Sequence, residues 1–282
     1  MLALLAFAIT MAMLIYASIK DWKEREVPDL PWIVLSISGL AIFLTYCVHL
    51  TEFRWEYVLL AAGTVMIIID IFTDKDFNPI LFYLPMAVLF IIPLYGNMSD
   101  PIFIAWASIP VCFLIFIGMF IFGIVRGGAD VKCLIALSIM FPIYPSFLDL
   151  PFIELHKAVA AQIFVFSISV LFVAALLTLP LILYTAVKNA REGNTSKKMF
   201  SGYKMEVSKA ENDDVWPRED VIDGKVEYIK IPEEEEMGAI YTRHKEAGTE
   251  TIWVTPMIPF IIFIMMAVAI LFVIGNPLFL IF

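Results

Sequence analysis

Two aspartates stand out in this chain because of their surroundings. Asp130 lies in "RGGADVK", residues 126–132, behind two glycines and at the close of a long apolar run. Asp21 opens "DWKEREVPD", residues 21–29, where the first apolar run meets its first charges. Paired carboxylates have specific chemistry. Held close, two of them cannot both ionise, so one keeps its proton. The ionised member can take a proton from a water held between them while the other polarises a peptide carbonyl. Such a pair hydrolyses an amide with neither metal nor thiolate. Gly127 and Gly128 suit that task, because a backbone without Cβ lets an extended peptide approach closely.

The elements that must position these groups are membrane helices. The 282 residues are 61% hydrophobic with a mean hydropathy of +0.88. A run of about 20 apolar residues crosses a bilayer, and the runs here lack the dyad alternation of an outer-membrane barrel. The fold expected is an all-α polytopic membrane protein with about eight spans, near 1–19, 31–50, 55–72, 80–96, 101–125, 131–147, 158–187 and 252–275. Pro142 and Pro145 shorten the sixth. The opening "MLALLAFAITMAMLIYASIK" has neither a basic leading segment nor a small-residue cleavage site, and reads as the first span instead of a signal peptide.

Positive charge sets the expected sidedness. The turns after spans 1, 3 and 5 carry Lys20, Lys23, Arg25, Lys75, Arg126 and Lys132, whereas those after spans 2, 4 and 6 carry only Arg54 and Lys157. Asp21 and Asp130 then share the cytoplasmic boundary of a cell membrane, and both termini lie outside. Pro28 opens the second helix, at a position where a missing N–H costs nothing.

Residues 1–187 form the expected membrane core, 188–250 a polar cytoplasmic insertion, and 251–282 the last span and terminus. Within the insertion, "YKMEV" and "KVEYIKI" alternate as strands do. "VIDGKV" places Asp223-Gly224 between apolar flanks, a hairpin signal. A small, partly β module with a mobile acidic segment at "PEEEE", 232–236, is expected. It should help handle substrate and supply no catalytic group.

Cys47, Cys112 and Cys133 are scattered through apolar segments, and His49, His156 and His244 show no ligand spacing. No metal site, disulfide framework or cofactor is expected. Asp70, with Asp74 and Asp76, reads as a solvated group at the membrane surface.

"DWKEREVPD" resembles the Asp-x-x-x-Arg-x-(Ile/Val)-Pro-(Asn/Asp) turn of type IV prepilin peptidases, and "GGADVKCLIAL" resembles the second motif of these GxGD membrane aspartyl proteases. Ala129 departs from the second glycine, as archaeal members allow. "WVTPMIPF", 253–260, resembles the last span of archaeal preflagellin and prepilin peptidases. The resemblance implies that Asp21 and Asp130 are the catalytic aspartates and that Gly127, Gly128 and Ala129 meet the substrate. It implies a membrane endopeptidase that removes a short cytoplasmic leader from pilin-like or archaellin precursors just before their hydrophobic helix. The partners implied are those membrane-inserted precursors and the bilayer, not nucleic acid.

Other classes compete with this reading. A transporter would use boundary carboxylates and Asp70 as an ion path, but no span has the Gly/Pro-broken centre of a midplane site. A presenilin-like enzyme would cut within a transmembrane helix, whereas both carboxylates here sit at the boundary. A non-catalytic scaffold would tolerate Asn at both. Glu24, Glu26 and Asp29 crowd the first motif, and favour a basic residue ahead of the scissile bond.

Overall fold

The computed structural model describes all residues except 74–76, 148–149, 154–165 and 277–282. Asp74, Lys75, Asp76, His156, Lys157 and the start of the seventh expected span lie outside the described residues. Among the described residues, five helices are long and apolar enough to cross a membrane: α1 (Leu2–Glu24), α2 (Leu30–Thr51), α3 (Trp55–Phe72), α5 (Pro101–Ile121) and α7 (Phe166–Arg191). Two shorter apolar helices join them, α4 (Pro79–Leu94) and α10 (Phe260–Val273). The protein is a predominantly helical, multi-pass membrane protein.

Local chemistry starts and stops these helices. The Asn78 side chain accepts from the Ile80 and Leu81 amides with Pro79 at the first helical position, and Asp100 caps α5 in the same way ahead of Pro101. Helix α6 (Gly128–Met140) stops before Phe141-Pro142, since a proline drives the preceding residue out of the helical region. Its thirteen residues rise only about 20 Å, short of a hydrocarbon core of about 30 Å. The sixth expected span thus ends early. Residues beyond it are tied to the end of α10: Tyr144 Oη donates to the Leu271 carbonyl at 2.9 Å, and the Ile153 amide to that of Ile274 at 2.9 Å.

Helix α2 packs against α1, α3 and α6. Gly39 makes its contact with α6 possible, because a Cβ there would lie 2.5 Å from the Met140 Cα. Asp29, at the start of α2, pairs with Lys132, at the start of α6, at 2.7 Å. Start meets start and the Gly39–Met140 contact lies further along both, so α2 and α6 run parallel. At the opposite end of the bundle, Arg54 between α2 and α3 reaches Asn97 at 3.0 Å and Asp100 at 3.6 Å, between α4 and α5. The turns leading into α2 and α6 thus meet at one end, and the α2–α3 and α4–α5 turns at the other.

Residues Met1–Leu176 with Pro259–Phe282 make one compact unit and Leu177–Ile258 another, the boundary falling inside α7. In the second unit, β1 (Tyr203–Glu206), β5 (Thr251–Pro256) and β2 (Val215–Pro217) form an antiparallel sheet in the order β1-β5-β2. Helices α8 (Val207–Ala210) and α9 (Glu234–Glu246) close its core with Val207, Val215, Ile240, Tyr241, Ile252 and Val254. β3 (Glu219–Ile222) and β4 (Lys225–Tyr228) form a hairpin. Asp223 (φ 50°) and Gly224 (φ 74°) make its turn, the primed geometry that matches strand twist.

Two boundaries differ from the sequence reading. Thr251–Pro256, apolar enough to pass for the start of the last span, is the central strand of this sheet, and the helix begins at Phe260. The acidic run is not a mobile segment either. Glu234, Glu235 and Glu236 form the first turn of α9, and Arg243, His244 and Lys245 its last. That distribution opposes the helix dipole at both ends, each charge contributing about 0.3–1 kcal/mol.

Candidate active site

Asp21 lies in the last turn of α1 and is half-buried. Helix α1 packs on α10 with Phe7 stacked on Phe272 at 4.0 Å, while Ser18 Oγ donates to Met265 Sδ at 3.7 Å. The two helices are therefore antiparallel, and the end of α1 meets the start of α10. There the Ile261 backbone N–H, in the first turn of α10, points to the Asp21 carboxylate. It is one of the donors a helix start leaves without an internal partner. Asp21 Oδ2 itself is closed off from solvent and accepts no hydrogen bond.

Arg25, one turn on, places its charge against Asp21. It ends α1 in the left-handed conformation at φ 56°, which costs a non-glycine residue roughly 1–2 kcal/mol. Arg25 therefore shapes the turn as well as balancing the acid.

Asp130 occupies the first turn of α6, which Gly127 precedes as its N-cap residue. Its carboxylate folds back over Gly127: a Cβ at 127 would stand 2.9 Å from Asp130 Cγ and nearer still to Oδ2. Gly128 is different. It is exposed, and a Cβ there would meet nothing within 4 Å. Only the first glycine is dictated by the chain's own packing; the second leaves an open flank. Ala129 is half-buried beside them. The charge of Asp21 bears on Asp130, so the structure brings the two aspartates into electrostatic range.

Sequence reasoning missed two contributors. The first is the Asp29–Lys132 pair, which links the two motifs across 103 residues; the signal was present as opposite charges in the two stretches. The second is the Ile261 amide, a backbone group with no residue signature. Of the acids around Asp21, Glu24 is engaged by Lys20 at 2.6 Å and Asp29 by Lys132. Asp70 accepts from Tyr83 Oη at 2.9 Å, so it is tied to α4.

Apolar helices thus bring two carboxylates within electrostatic range at one end, beside a glycine turn with an open flank, as the resemblance of the two motifs implies. Comparison with known sequences agrees. The model of the "Type IV leader peptidase family" matches residues 8–78, and that of "Archaeal Peptidase A24 C-terminus Type II" matches residues 194–276. The first match includes Asp21; neither reaches Asp130. The preflagellin peptidase of Methanocaldococcus jannaschii is 26% identical over 269 residues, 93% of this chain and 91% of the relative. That of Methanococcus voltae is 26% identical over 270 residues, 92% and 90% of the two chains. An uncharacterised M. jannaschii protein is 24% identical over 274 residues, 94% and 90%. The chain is thus similar to the type IV leader peptidases in their archaeal form at both of its ends and to preflagellin peptidases over most of its length, and it is a leader-removing peptidase.

Proposed function

We propose that Asp21 and Asp130 are the catalytic dyad of this peptidase and that it cuts preflagellin-like or pilin-like precursors at the cytoplasmic boundary of the membrane. The observation that carries the reading is the site's geometry. One carboxylate is folded over a glycine N-cap, the other has an unbonded, solvent-shielded oxygen, and each lies within reach of the other's charge.

In this reading the dyad shares one proton. Its ionised member takes a proton from water as that water attacks the scissile carbonyl, and the protonated member donates to the carbonyl oxygen. The precursor's extended leader lies along the open flank of Gly128 and Ala129, just before its hydrophobic helix enters the bilayer. The basic turns at this end of the bundle support its cytoplasmic placement, with both termini outside. The partner class follows from the family: membrane-inserted precursors like those processed by the preflagellin peptidases.

Cleavage of a purified preflagellin precursor in detergent, with the product's new amino terminus mapped, tests the reading. A single cut just before the hydrophobic segment is expected, unaffected by strong chelators. A cut deep inside that segment, or activity lost to chelator and restored by zinc, would overturn it. Thiol reagents should also leave turnover intact, because all three cysteines are buried.

A further inference from the structure

We infer that Lys132 and Asp29 are positioning residues of the dyad: their ion pair fixes how far α6 carries Asp130 from Asp21. The inference rests on the catalytic reading of the two aspartates and goes beyond it.

Helices α2 and α6 are joined at two points. One is the backbone approach of Gly39 to Met140, where a Cβ would come within 2.5 Å of Cα. The other is Lys132 Nζ to Asp29 Oδ1 at 2.7 Å. Along α2 the points are ten residues apart and along α6 eight, or about 15 and 12 Å at 1.5 Å per residue. The packed contact is a pivot far from the chemistry. The ion pair lies at the reacting end, two residues from Asp130 and on the turn that leads from Asp21 into α2.

Magnitudes separate positioning from stability. The paired side chains are 27% and 41% exposed, and such pairs add only about 0.2–1 kcal/mol to folding. That is too little to hold a bundle already fixed by helix packing. A displacement of about 1 Å in a reacting group, however, costs on the order of 100-fold in rate. Loss of the pair should therefore appear in turnover well before it appears in folding. Lys132 is held further by the Phe72 ring, 5.8 Å from Nζ, so the ammonium has a defined place.

The groups that bear on the dyad's titration are few. Asp130 is faced by Asp21 and adjoins Cys133, and Asp21 is faced by Arg25. Lys132 and Asp29 also carry charge beside this turn, and the Lys132→Met/Asp29→Asn double variant, which removes both charges at once, separates their charge from their geometry.

The test is a double-mutant cycle of Lys132→Met and Asp29→Asn on precursor cleavage, with Lys132→Arg as the charge-conserving variant. Each single variant is expected to lower kcat about 100-fold with KM within threefold, and the double variant to be no worse than either single. Lys132→Arg should recover most of the loss. The two limbs of the pH–rate profile should draw together in Lys132→Met, because two carboxylates moved apart titrate with less mutual coupling. Additive losses, a kcat within twofold of the parent, a rise in KM alone, or a lower rate with unmoved limbs would each overturn the inference. If Lys132→Met does not purify, the same readings on Asp29→Asn and Lys132→Arg decide it. The catalytic reading fails separately, through full activity in Asp130→Asn.

Discussion

Two carboxylates in this protein are held in opposite ways. Asp220, in the 177–258 unit, is gripped by Arg243 through Nε at 2.8 Å and Nη2 at 2.7 Å, and its Oδ1 also accepts from the Val221 amide at 2.7 Å. Asp21 has an oxygen shut away from solvent and bonded to nothing. The satisfied carboxylate ties the β3–β4 hairpin to α9 and stabilises its unit. The under-satisfied one stabilises little, because buried polar atoms ordinarily find partners; in the proposed dyad this is an oxygen that hydrolysis would use.

The contrast breaks most sharply by mutation. Asp21→Asn or Asp130→Asn should lower kcat by on the order of 10⁴-fold while the protein still inserts and purifies. The double variant should be no worse, because a unit sharing one proton is lost only once. Asp220→Asn, the same chemical change in the other unit, should leave kcat within about threefold and cost roughly 1–2 kcal/mol of local stability. Full precursor cleavage by either dyad variant, or Asp220→Asn as inactive as Asp130→Asn, would invert the assignment of roles.

Next in size is the glycine pair. Gly127→Ala drives a methyl into the Asp130 carboxylate and should cost about 100-fold in kcat. Gly128→Ala meets open space inside the chain, so its effect should fall mainly on KM. Equal effects on kcat from both would mean that the Asp130 carboxylate does not depend on the space above Gly127.

The third prediction concerns acid. The Arg243 guanidinium bonded to Asp220 holds that carboxyl below the ordinary carboxylate range, outweighing the opposing effect of its burial. A group whose folded pKa is depressed stabilises above its unfolded pKa and loses that contribution as pH falls through the folded value. Protection of the 219–246 amides from hydrogen exchange should therefore hold down to about pH 4 and weaken below it. In Asp220→Asn that acid-dependent loss should be smaller; an unchanged profile would show that another group governs it.

The smallest effect is expected from Glu234, Glu235 and Glu236 changed together to Gln. The first turn of α9 would lose a few tenths of a kcal/mol for each, read by hydrogen exchange, and KM should change less than threefold. A large rise in KM would show that these acids bind substrate and that the unit takes part in capture.

Much of the molecule was legible in the chain itself. Apolar runs of bilayer length marked α1, α2, α3 and α5 to within a few residues, because hydrophobicity and span length are local properties. Pro142 announced the early end of α6, and Asp223-Gly224 the hairpin, since each acts through its own backbone angles. The basic turns predicted which ends of the helices lie together, and the Asp29–Lys132 and Arg54–Asp100 contacts have that arrangement. Thr251–Pro256 was misread as membrane span because an apolar stretch is equally at home in the centre of a small sheet; only pairing with β1 and β2 decides. The acid run at 233–236 reads as a mobile segment from composition alone, whereas its place at a helix start gives the charges a use.

The site divides along the same line. Residue type and spacing singled out the two aspartates and the glycines before Asp130 and carried the resemblance to the type IV leader peptidases, because all of these are written locally in the chain. The tertiary structure alone decided that Gly127 is needed by the Asp130 carboxylate and Gly128 is not. It alone placed the Ile261 amide at Asp21 and joined Lys132 to Asp29. The first is a matter of side-chain conformation at the start of α6; the other two depend on which helix ends meet, and such meetings are set by packing such as Gly39 against Met140, between residues about a hundred positions apart.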